Sequence, residues 1–424
     1  MDIHPIDRLI TSCREAAART LRCAAELTRP AVVVHHNDAD GIAAAATLSL
    51  TFRRLSLPCR LLALEKIHAA VLEKIHGDAG EMIIYADLGG QSAHIIGRCA
   101  VRSPLVVILD HHLPGGAVPA NVVHLNPEIF GISGDTEASA ASVSALYGIE
   151  LLKEASLCSP RLEAMLAALG VLGAVGDGHL QPDGMTGINA QLMAIALEHT
   201  AIVAGADGFV FPRFGGRTAR EIVAILNLLG SVGFYGGHAR KGVAFLLGRN
   251  TEAAVRLADD LLAIKNTAFA METERIRKGG LLQTSRFQWV HVADRFAPMG
   301  VKAIGLFLEA LIAEGISSRD KYLIGFQHLP VVMPAIGDLR LCLSKVSGRV
   351  GPGLTAAIRN GNLPDYMTLM PAATAMVGGT ADGCHRFAAA ALINRGDEEA
   401  FIMFLESTLR DYLTSAEQKR PENY

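Results

Sequence analysis

Residues 31–41 read AVVVHHNDADG, an apolar β-branched run that ends in two histidines, two aspartates and a glycine. A short strand that is apolar on both faces belongs in the middle of a parallel sheet covered by helices. The same signature returns at Met82–Leu88 (MIIYADL) and Leu105–Leu109 (LVVIL), while 41–55, 62–76, 137–156 and 161–175 carry helical periodicity. The expected unit is a β/α repeat with its loops gathered at the carboxyl ends of the strands, where open α/β sheets bind ligands.

Outward from that stretch the character changes after residue 200. Phe209–Gly237 mixes glycines and aromatics around a helical run, Ala219–Leu229, as a lid, linker or entry to a connector would, and Thr251–Lys278 is charged and helical. Strand signals return at Phe287–Val292, Tyr322–Phe326, Val331–Pro334 and Leu339–Leu343, alternating with helices near 300–314 and 352–359. The fold expected is α/β: an N-terminal parallel-sheet domain over 1–205, a central helical connector or insertion over 206–283, and a smaller C-terminal α/β domain over 284–424.

Composition agrees with a folded chain. At roughly 150 residues per domain, 424 residues predict two to three domains, and 50% hydrophobic against 19% charged residues excludes global disorder. A formal net charge of −3 gives no overall positive field, so any nucleic-acid binding must come from a local groove. The seven cysteines lack paired CxxC spacing and an even count, which favours a reducing interior. The opening MDIHPIDRLITSCREAAART is unlike a secretory signal, and despite a mean hydropathy of +0.30 no apolar stretch reaches a lipid-spanning length of about 20 residues. A cytoplasmic protein without a membrane segment is expected.

Chemistry gathers at the strand ends. His36, Asp38 and Asp40 alternate directly after the first strand, and Gly41 lets the chain turn close to a ligand. In isolation, Asp38 and Asp40 could simply cap the following helix. Recurrence argues otherwise: Asp87 closes MIIYADL before Gly89-Gly90, Asp110-His111-His112 closes VVILDHH, and Asp177 follows an alanine-rich run within GDGH. Carboxylates brought together this way repel one another unless cations compensate. Mixed oxygen and imidazole donors favour Mn²⁺, with Mg²⁺ as the alternative. Two such ions would lower the pKa of a water, orient it for in-line attack and neutralise charge on a phosphoester.

The ordered set of HNDADG at 36–41, Asp87, DHH at 110–112, Asp177 and a later glycine-histidine segment resembles the DHH phosphoesterase superfamily, particularly its RecJ-like nuclease branch. The resemblance implies metal ligation by His36, Asp38, Asp40, Asp87, Asp110, His111 and Asp177, with Asp38, Asp110, His111, His112 and Asp177 catalytic. Asp38 and Asp110, with Asp177, would span both ions; Asp40 would bind one, and Asp87 would complete the cluster. His112 would stand beside the leaving phosphoester or act as a mobile substrate-side histidine, the bland reading being a hydrogen-bonded imidazole behind the ligands. His35, on the alternate strand face, reads as packing, and His179 has no comparable assignment.

The segment Val377–Arg386 (VGGTADGCHR) resembles the substrate-binding glycine-histidine motif of the DHHA1 domain, though its spacing departs from the compact triple-glycine form. Gly378, Gly379, Gly383, His385 and Arg386 would make a phosphate-binding turn ahead of an alanine-rich helix. Cys384 lacks the third partner that a thiol–histidine nucleophile needs and reads as structural. Arg217, with Arg213 and Arg220, could contact a nucleic-acid backbone or simply face solvent, and the same choice applies to Lys345, Arg349 and Arg359. Asn126-Pro127 and Gly134–Glu137 are secondary candidates, Thr136 reading first as the cap of the next helix.

What the resemblance implies is a metal-dependent, single-stranded DNA exonuclease releasing nucleotides in DNA repair or replication. RNA or short oligonucleotides are alternative substrates, 3′-to-5′ action is one polarity among relatives, and a helicase or replication protein is a candidate partner. A short-oligonucleotide or cyclic-dinucleotide phosphodiesterase is the neighbouring reading, and an inactive nuclease-derived scaffold is the nonenzymatic one. The alanine-rich helices could also support a homodimer.

Overall fold

A computed structural model of the chain describes residues 3–77, 80–205 and 208–418. It divides into two compact units, one running to Leu261 and including Pro334–Ile336, the other comprising Leu262–Met333 and the chain from Gly337 onward. The boundary falls inside a long helix, Thr251–Gly279, within the span expected to connect two domains.

The first unit is built on five parallel strands: β1 (Ala31–His36), β2 (Cys59–Leu64), β3 (Ile83–Ala86), β4 (Val106–Leu109) and β5 (Val122–Leu125), in the spatial order β2-β1-β3-β4-β5. Every residue of β1, β3 and β4 is buried, as their unbroken apolar runs require. From β1 the chain moves to one neighbour and then returns to the other side, so the strand order reverses between β1 and β3. Such a switch point opens a crevice beyond the carboxyl ends of the strands, where His36 and Asp87 lie.

Its helices are α1 (Pro5–Glu26), α2 (Ala39–Arg54), α3 (Ala69–Ile75), α4 (Ala93–Cys99), α5 (Ala140–Glu154), α6 (Pro160–Gly176), α7 (Gly187–Glu198), α8 (Ala219–Asn227) and α9 (Ala239–Leu246). Local chemistry sets their starts. Ser159 accepts a hydrogen bond from Leu162 N with Pro160 in the first turn of α6, and Thr218 with Glu221 forms a capping box on α8. Helices α2, α5 and α6 are buried nearly all round, which accounts for the alanine-rich, weakly amphipathic sequences at 43–46 and 164–174.

The second unit opens within α10 (Thr251–Gly279), at Leu262, and carries a six-stranded mixed sheet. After a small three-stranded sheet in the first unit, β6 (Val203–Gly205), β7 (Gly208–Phe211) and β8 (Arg217–Thr218), the strands are β9 (Leu282–Gln283), β10 (Phe287–Ala293), β11 (Tyr322–His328), a hairpin of β12 (Val332–Met333) and β13 (Gly337–Asp338), β14 (Leu343–Val350), β15 (Thr380–Asp382) and β16 (Ala388–Asn394). The large sheet runs β15-β16-β14-β11-β10-β9, with β10 and β11 parallel. Helices α11 (Lys302–Ala313), α12 (Thr355–Arg359), α13 (Tyr366–Met376) and α14 (Glu398–Gln418) complete the order. Among the described residues no helix is long and apolar enough to cross a membrane.

Three expectations are corrected. Within 62–76, Leu62 and Leu64 belong to β2, an edge strand whose alternating burial was hidden by its helix-tolerant residues, and the helix covers only Ala69–Ile75. The strand expected at 331–334 shrinks to β12, which pairs with β13 just ahead of the one expected at 339–343, and of the latter only Leu343 is strand, as the first residue of the long β14. Its sequence, LSKVSGRV, is too polar to advertise a buried strand, yet Ser344, Lys345 and Ser347 are buried. The alanine-rich run after Arg386 is strand β16 rather than a helix: Ala389 and Ala391 are buried against the core under α13, where small side chains let helix and sheet approach.

An ion-pair network in the second unit carries a pH-dependent prediction. Burial alone would raise the pKa of Glu272, but hydrogen bonds from Arg275 and Arg295 hold it below the ordinary value. A carboxylate depressed on folding stabilises fully above its unfolded pKa of about 4.3, and that contribution is lost as pH falls through the folded value. Glu272→Gln should therefore cost about 1–3 kcal/mol near pH 7, and the gap from wild type in urea denaturation should begin to narrow as pH falls below about 4.3 and close only below the folded pKa.

Candidate metal centre

Four chain segments deliver the polar cluster. Asp38, following β1, caps α2 by accepting from Gly41 N at 3.1 Å through one carboxylate oxygen, while the other lies 2.9 Å from His36 Nδ1. Asp87 directly follows β3 with φ of +63°, a left-handed conformation that aspartate tolerates better than most residues. Its carboxylate lies 3.2 Å from His36 Nδ1 and 3.5 Å from His111 Nε2. Asp110 leaves β4 and accepts from Gly90 N at 2.6 Å and His111 N at 2.8 Å, with His112 Nδ1 also at 2.8 Å. Asp177 ends α6, its carboxylate 3.0 Å from His111 Nε2.

Asp40 is also in the cluster, and it caps a helix other than its own. One oxygen accepts from Ser139 Oγ (2.8 Å) and Ala141 N (3.0 Å), the other from Ala140 N (2.8 Å), so this fully buried carboxylate sits on the start of α5. Ser139 is the N-cap residue of α5. This corrects the capping role expected of Thr136, which lies three positions before that cap and bonds Ser133 Oγ.

The sets His36/Asp38/Asp87, Asp40/Asp87/His111/Asp177 and Asp87/Asp110/His111/His112 each place one ligand atom per residue within 4.8 Å of the others. Asp87 is common to all three, so the overlapping groups have donors for more than one ion. His111 provides the clearest test of fit. Its Nδ1 lies 2.6 Å from Gly134 O, a partner that can only accept, so Nδ1 carries a proton and Nε2 faces three carboxylates, of Asp177, Asp87 and Asp40 at 3.0, 3.5 and 4.0 Å. Metal-binding histidines are characteristically held this way by a backbone carbonyl.

Electrostatics point in the same direction. Burial, then the neighbouring Asp38 and Asp40 charges, push the Asp87 pKa far up; burial and Asp177 push Asp40 to about 7. Burial opposes the protonation of His111, but its carboxylate neighbours overcome this and raise its pKa well above normal. Asp110 is the exception, for the pairing with His112 outweighs burial and holds its carboxyl low. These carboxylates favour a cation among them, a role that divalent ions would fill with the neutral His111 Nε2 as a donor.

Two neighbouring histidines were not assigned from sequence. His179 is buried, accepts from Asn189 Nδ2 through Nδ1 at 3.0 Å, and groups with His111 and Asp177; its signal was the Asp-x-His spacing of GDGH. His124 on β5 feels the Asp110 charge, though burial dominates and lowers its pKa; only a lone histidine in VVHL marked it. Asn126 anchors the loop by donating to His112 O at 2.9 Å.

The remaining candidates are not members of these groups. Arg217 donates to Phe214 O within its own turn, and Arg213 to Leu247 O. Gly378 and Gly379 terminate α13: their N–H groups bond back to Ala375 O and Thr374 O, and Gly378 has φ of +64°. Gly383 and His385 belong to the hairpin between β15 and β16, where His385 N donates to Ala388 O, so no helix N-terminus backs the expected phosphate turn. Arg386 approaches Asp365 at 3.5 Å, Arg349 pairs with Glu309 at 2.8 Å, and Arg359 lies over the Phe387 ring. Lys345 is buried on β14, and Arg220 is exposed on α8. A second His/Glu group, His291, His328 and Glu398, has a different logic. Ala293 N donates to His291 Nδ1, leaving the proton on Nε2 to face Glu398, so this imidazole is committed to a structural hydrogen bond.

Residues 30–171 match the model of the DHH family, N-terminal domain. An uncharacterized protein, MJ0831 of Methanocaldococcus jannaschii, is 28% identical over 174 residues, 39% of this chain and 37% of that protein. The single-stranded-DNA-specific exonuclease RecJ of Dickeya dadantii is 29% identical over 178 residues, 38% of this chain and 31% of the relative. The matched stretch thus spans about a third of those relatives' own length. Among solved structures, RecJ from Thermus thermophilus in complex with Mn²⁺ aligns with a TM-score of 0.65 at 17% identity, over 94% of this chain and 55% of that one. Exonuclease RecJ bound to manganese gives 0.61 at 17% identity over 94% of both chains. Residues 30–171 thus resemble the N-terminal domain of the DHH family, and the chain has a fold similar to that of RecJ.

Proposed function

We propose that this protein is a metal-dependent nuclease that hydrolyses phosphodiester bonds in single-stranded DNA and releases nucleotides. The observation that carries the reading is His111, fixed through Nδ1 on Gly134 O with Nε2 among the carboxylates of Asp40, Asp87 and Asp177. His36, Asp38, Asp40, Asp87, Asp110, His111 and Asp177 would hold divalent ions, Mn²⁺ being favoured by the mixed donors. Such ions, when bound, supply charge neutralisation and electrophilic activation for phosphoester hydrolysis.

The chain's own groups divide the remaining work. His112 has the most exposed side chain of the cluster, 45% against 23% for Asp177, with Nδ1 engaged by Asp110. Asp110 raises the His112 pKa despite burial, so the imidazolium can meet a phosphate oxygen and donate a proton to the leaving oxygen. Asn126 holds the carbonyl of the same residue and fixes the loop. In the second unit, a DHHA1-like role for the Gly378–Arg386 segment would rest on His385 and Arg386 as exposed side chains on a hairpin.

End-labelled single-stranded DNA, matched RNA and a dinucleotide, each with Mn²⁺, test the reading, with chelator and Asp110→Asn as controls. A ladder on long DNA that disappears in both controls is the expected result, and its direction gives the polarity. Cleavage confined to the dinucleotide would replace this reading with a small-substrate phosphodiesterase, and no Mn²⁺-dependent cleavage of any substrate would leave a scaffold.

A further inference from the structure

The loop Asn37–Ala39 is gripped from behind by a segment that no site assignment includes. Asn37 is fully buried between His36 and Asp38, and its Nδ2 donates to Gly230 O at 3.2 Å and to Glu65 Oε1 at 3.3 Å. Ala39 N, a first-turn donor of α2 without a partner inside the helix, is taken by Asn227 Oδ1 at 3.0 Å. Asn227 ends α8, and the next residues, Leu228–Val232, form a π-helical turn closed by Gly233 N to Leu228 O at 2.8 Å. A Cβ on Gly230 would overlap Asn37 O, so only glycine allows this approach. Single π turns are uncommon and recur at functional sites. This one puts a side-chain acceptor on one side of Asp38 and a backbone acceptor on the other.

We propose that Asn227 and Gly230 are positioning residues for the candidate metal centre: the π turn sets the backbone of Asn37–Ala39, and through it the placement of His36 and Asp38 for divalent ions. The inference rests on the metal-centre reading above. A helix terminus that merely packed against α2 would need neither the Asn227 acceptor nor the glycine contact.

Mn²⁺ binding to the full chain, measured by titration calorimetry and by the electron paramagnetic resonance of free Mn²⁺, is the test, with unfolding of the metal-free protein followed in parallel. Asn227→Leu and Asn227→Ala both remove the acceptor and should weaken Mn²⁺ binding about 10- to 100-fold. Asn227→Asp keeps an oxygen at the position and should stay close to wild type. Thr218→Ala removes the capping box of α8 without touching the loop, so it should lower the melting temperature and leave Mn²⁺ affinity unchanged. Acceptor-less variants that bind Mn²⁺ like wild type, or a Thr218→Ala chain that loses affinity as they do, overturn the inference alone. A wild-type chain that takes up no Mn²⁺ overturns the metal-centre reading and the inference together.

Discussion

Asp87→Asn is expected to make the metal-free protein more stable while abolishing its response to Mn²⁺ and its hydrolytic activity. Asp87 is fully buried, and burial followed by repulsion from Asp38 and Asp40 raises its pKa far above that of a free aspartate. A carboxyl group whose folded pKa exceeds its unfolded value binds more protons when folded, so stability declines as pH climbs from about 3.9 toward the folded value. The neutral amide removes that penalty, for a gain of about 1–2 kcal/mol at neutral pH that shrinks on acidification. Asparagine also accepts the φ of +63° at this position. The same substitution takes away the carboxylate common to three donor groups. Saturating Mn²⁺ at about 100 times Kd would stabilise wild type by about 2.7 kcal/mol, and this increment should vanish, with cleavage falling on the order of 10³-fold. Denaturation with and without Mn²⁺ checks both halves. A destabilised variant that kept its Mn²⁺ response would show that Asp87 is an ordinary structural carboxylate.

Much of the cluster was legible because strand-end chemistry is local. The unbroken runs AVVVHH, MIIYADL and VVIL can be buried on both faces only in a covered parallel sheet, and each is followed by its polar residues within a position or two. What could not be read was chemistry arising from contacts distant in sequence. Asp40 looks like a residue of its own helix, and only folding shows its partners to be Ser139, Ala140 and Ala141, about a hundred positions on. Asn227 and Gly230 sit in an unremarkable run, NLLGSV, whose π turn depends on what it packs against. In the second unit the failures were of composition. The run FAAAALIN has the alanine content of a helix, yet tertiary packing against α13 makes it a strand. The glycines Gly378 and Gly379 then serve to stop a helix, a role that a sequence pattern does not separate from phosphate binding.

The neighbouring carboxylate should behave in the opposite sense: Asp40→Asn is expected to destabilise the first unit by about 2–4 kcal/mol. Asp40 also suffers from burial, with its pKa raised to about 7, but three donors converge on it from the start of α5. Ser139 Oγ and Ala141 N share one oxygen and Ala140 N has the other, so an amide must turn its own NH₂ toward at least one donor and leave that buried N–H or hydroxyl unpaired. Relief is blocked because α6 passes behind the carboxylate, and Gly173 is there because any side chain would overlap Asp40 Oδ1 and Ala141 Cβ. Gly173→Ala should accordingly cost a similar amount by overpacking, and combining it with Asp40→Asn should be strongly non-additive, since both disturb one contact. Urea denaturation of the four-member cycle measures the coupling. Additive losses would mean that Asp40 contributes through its charge toward the cluster alone, whereas a coupling above about 1 kcal/mol assigns it a second duty, that of holding α2, α5 and α6 in the register that brings Asp177 to His111.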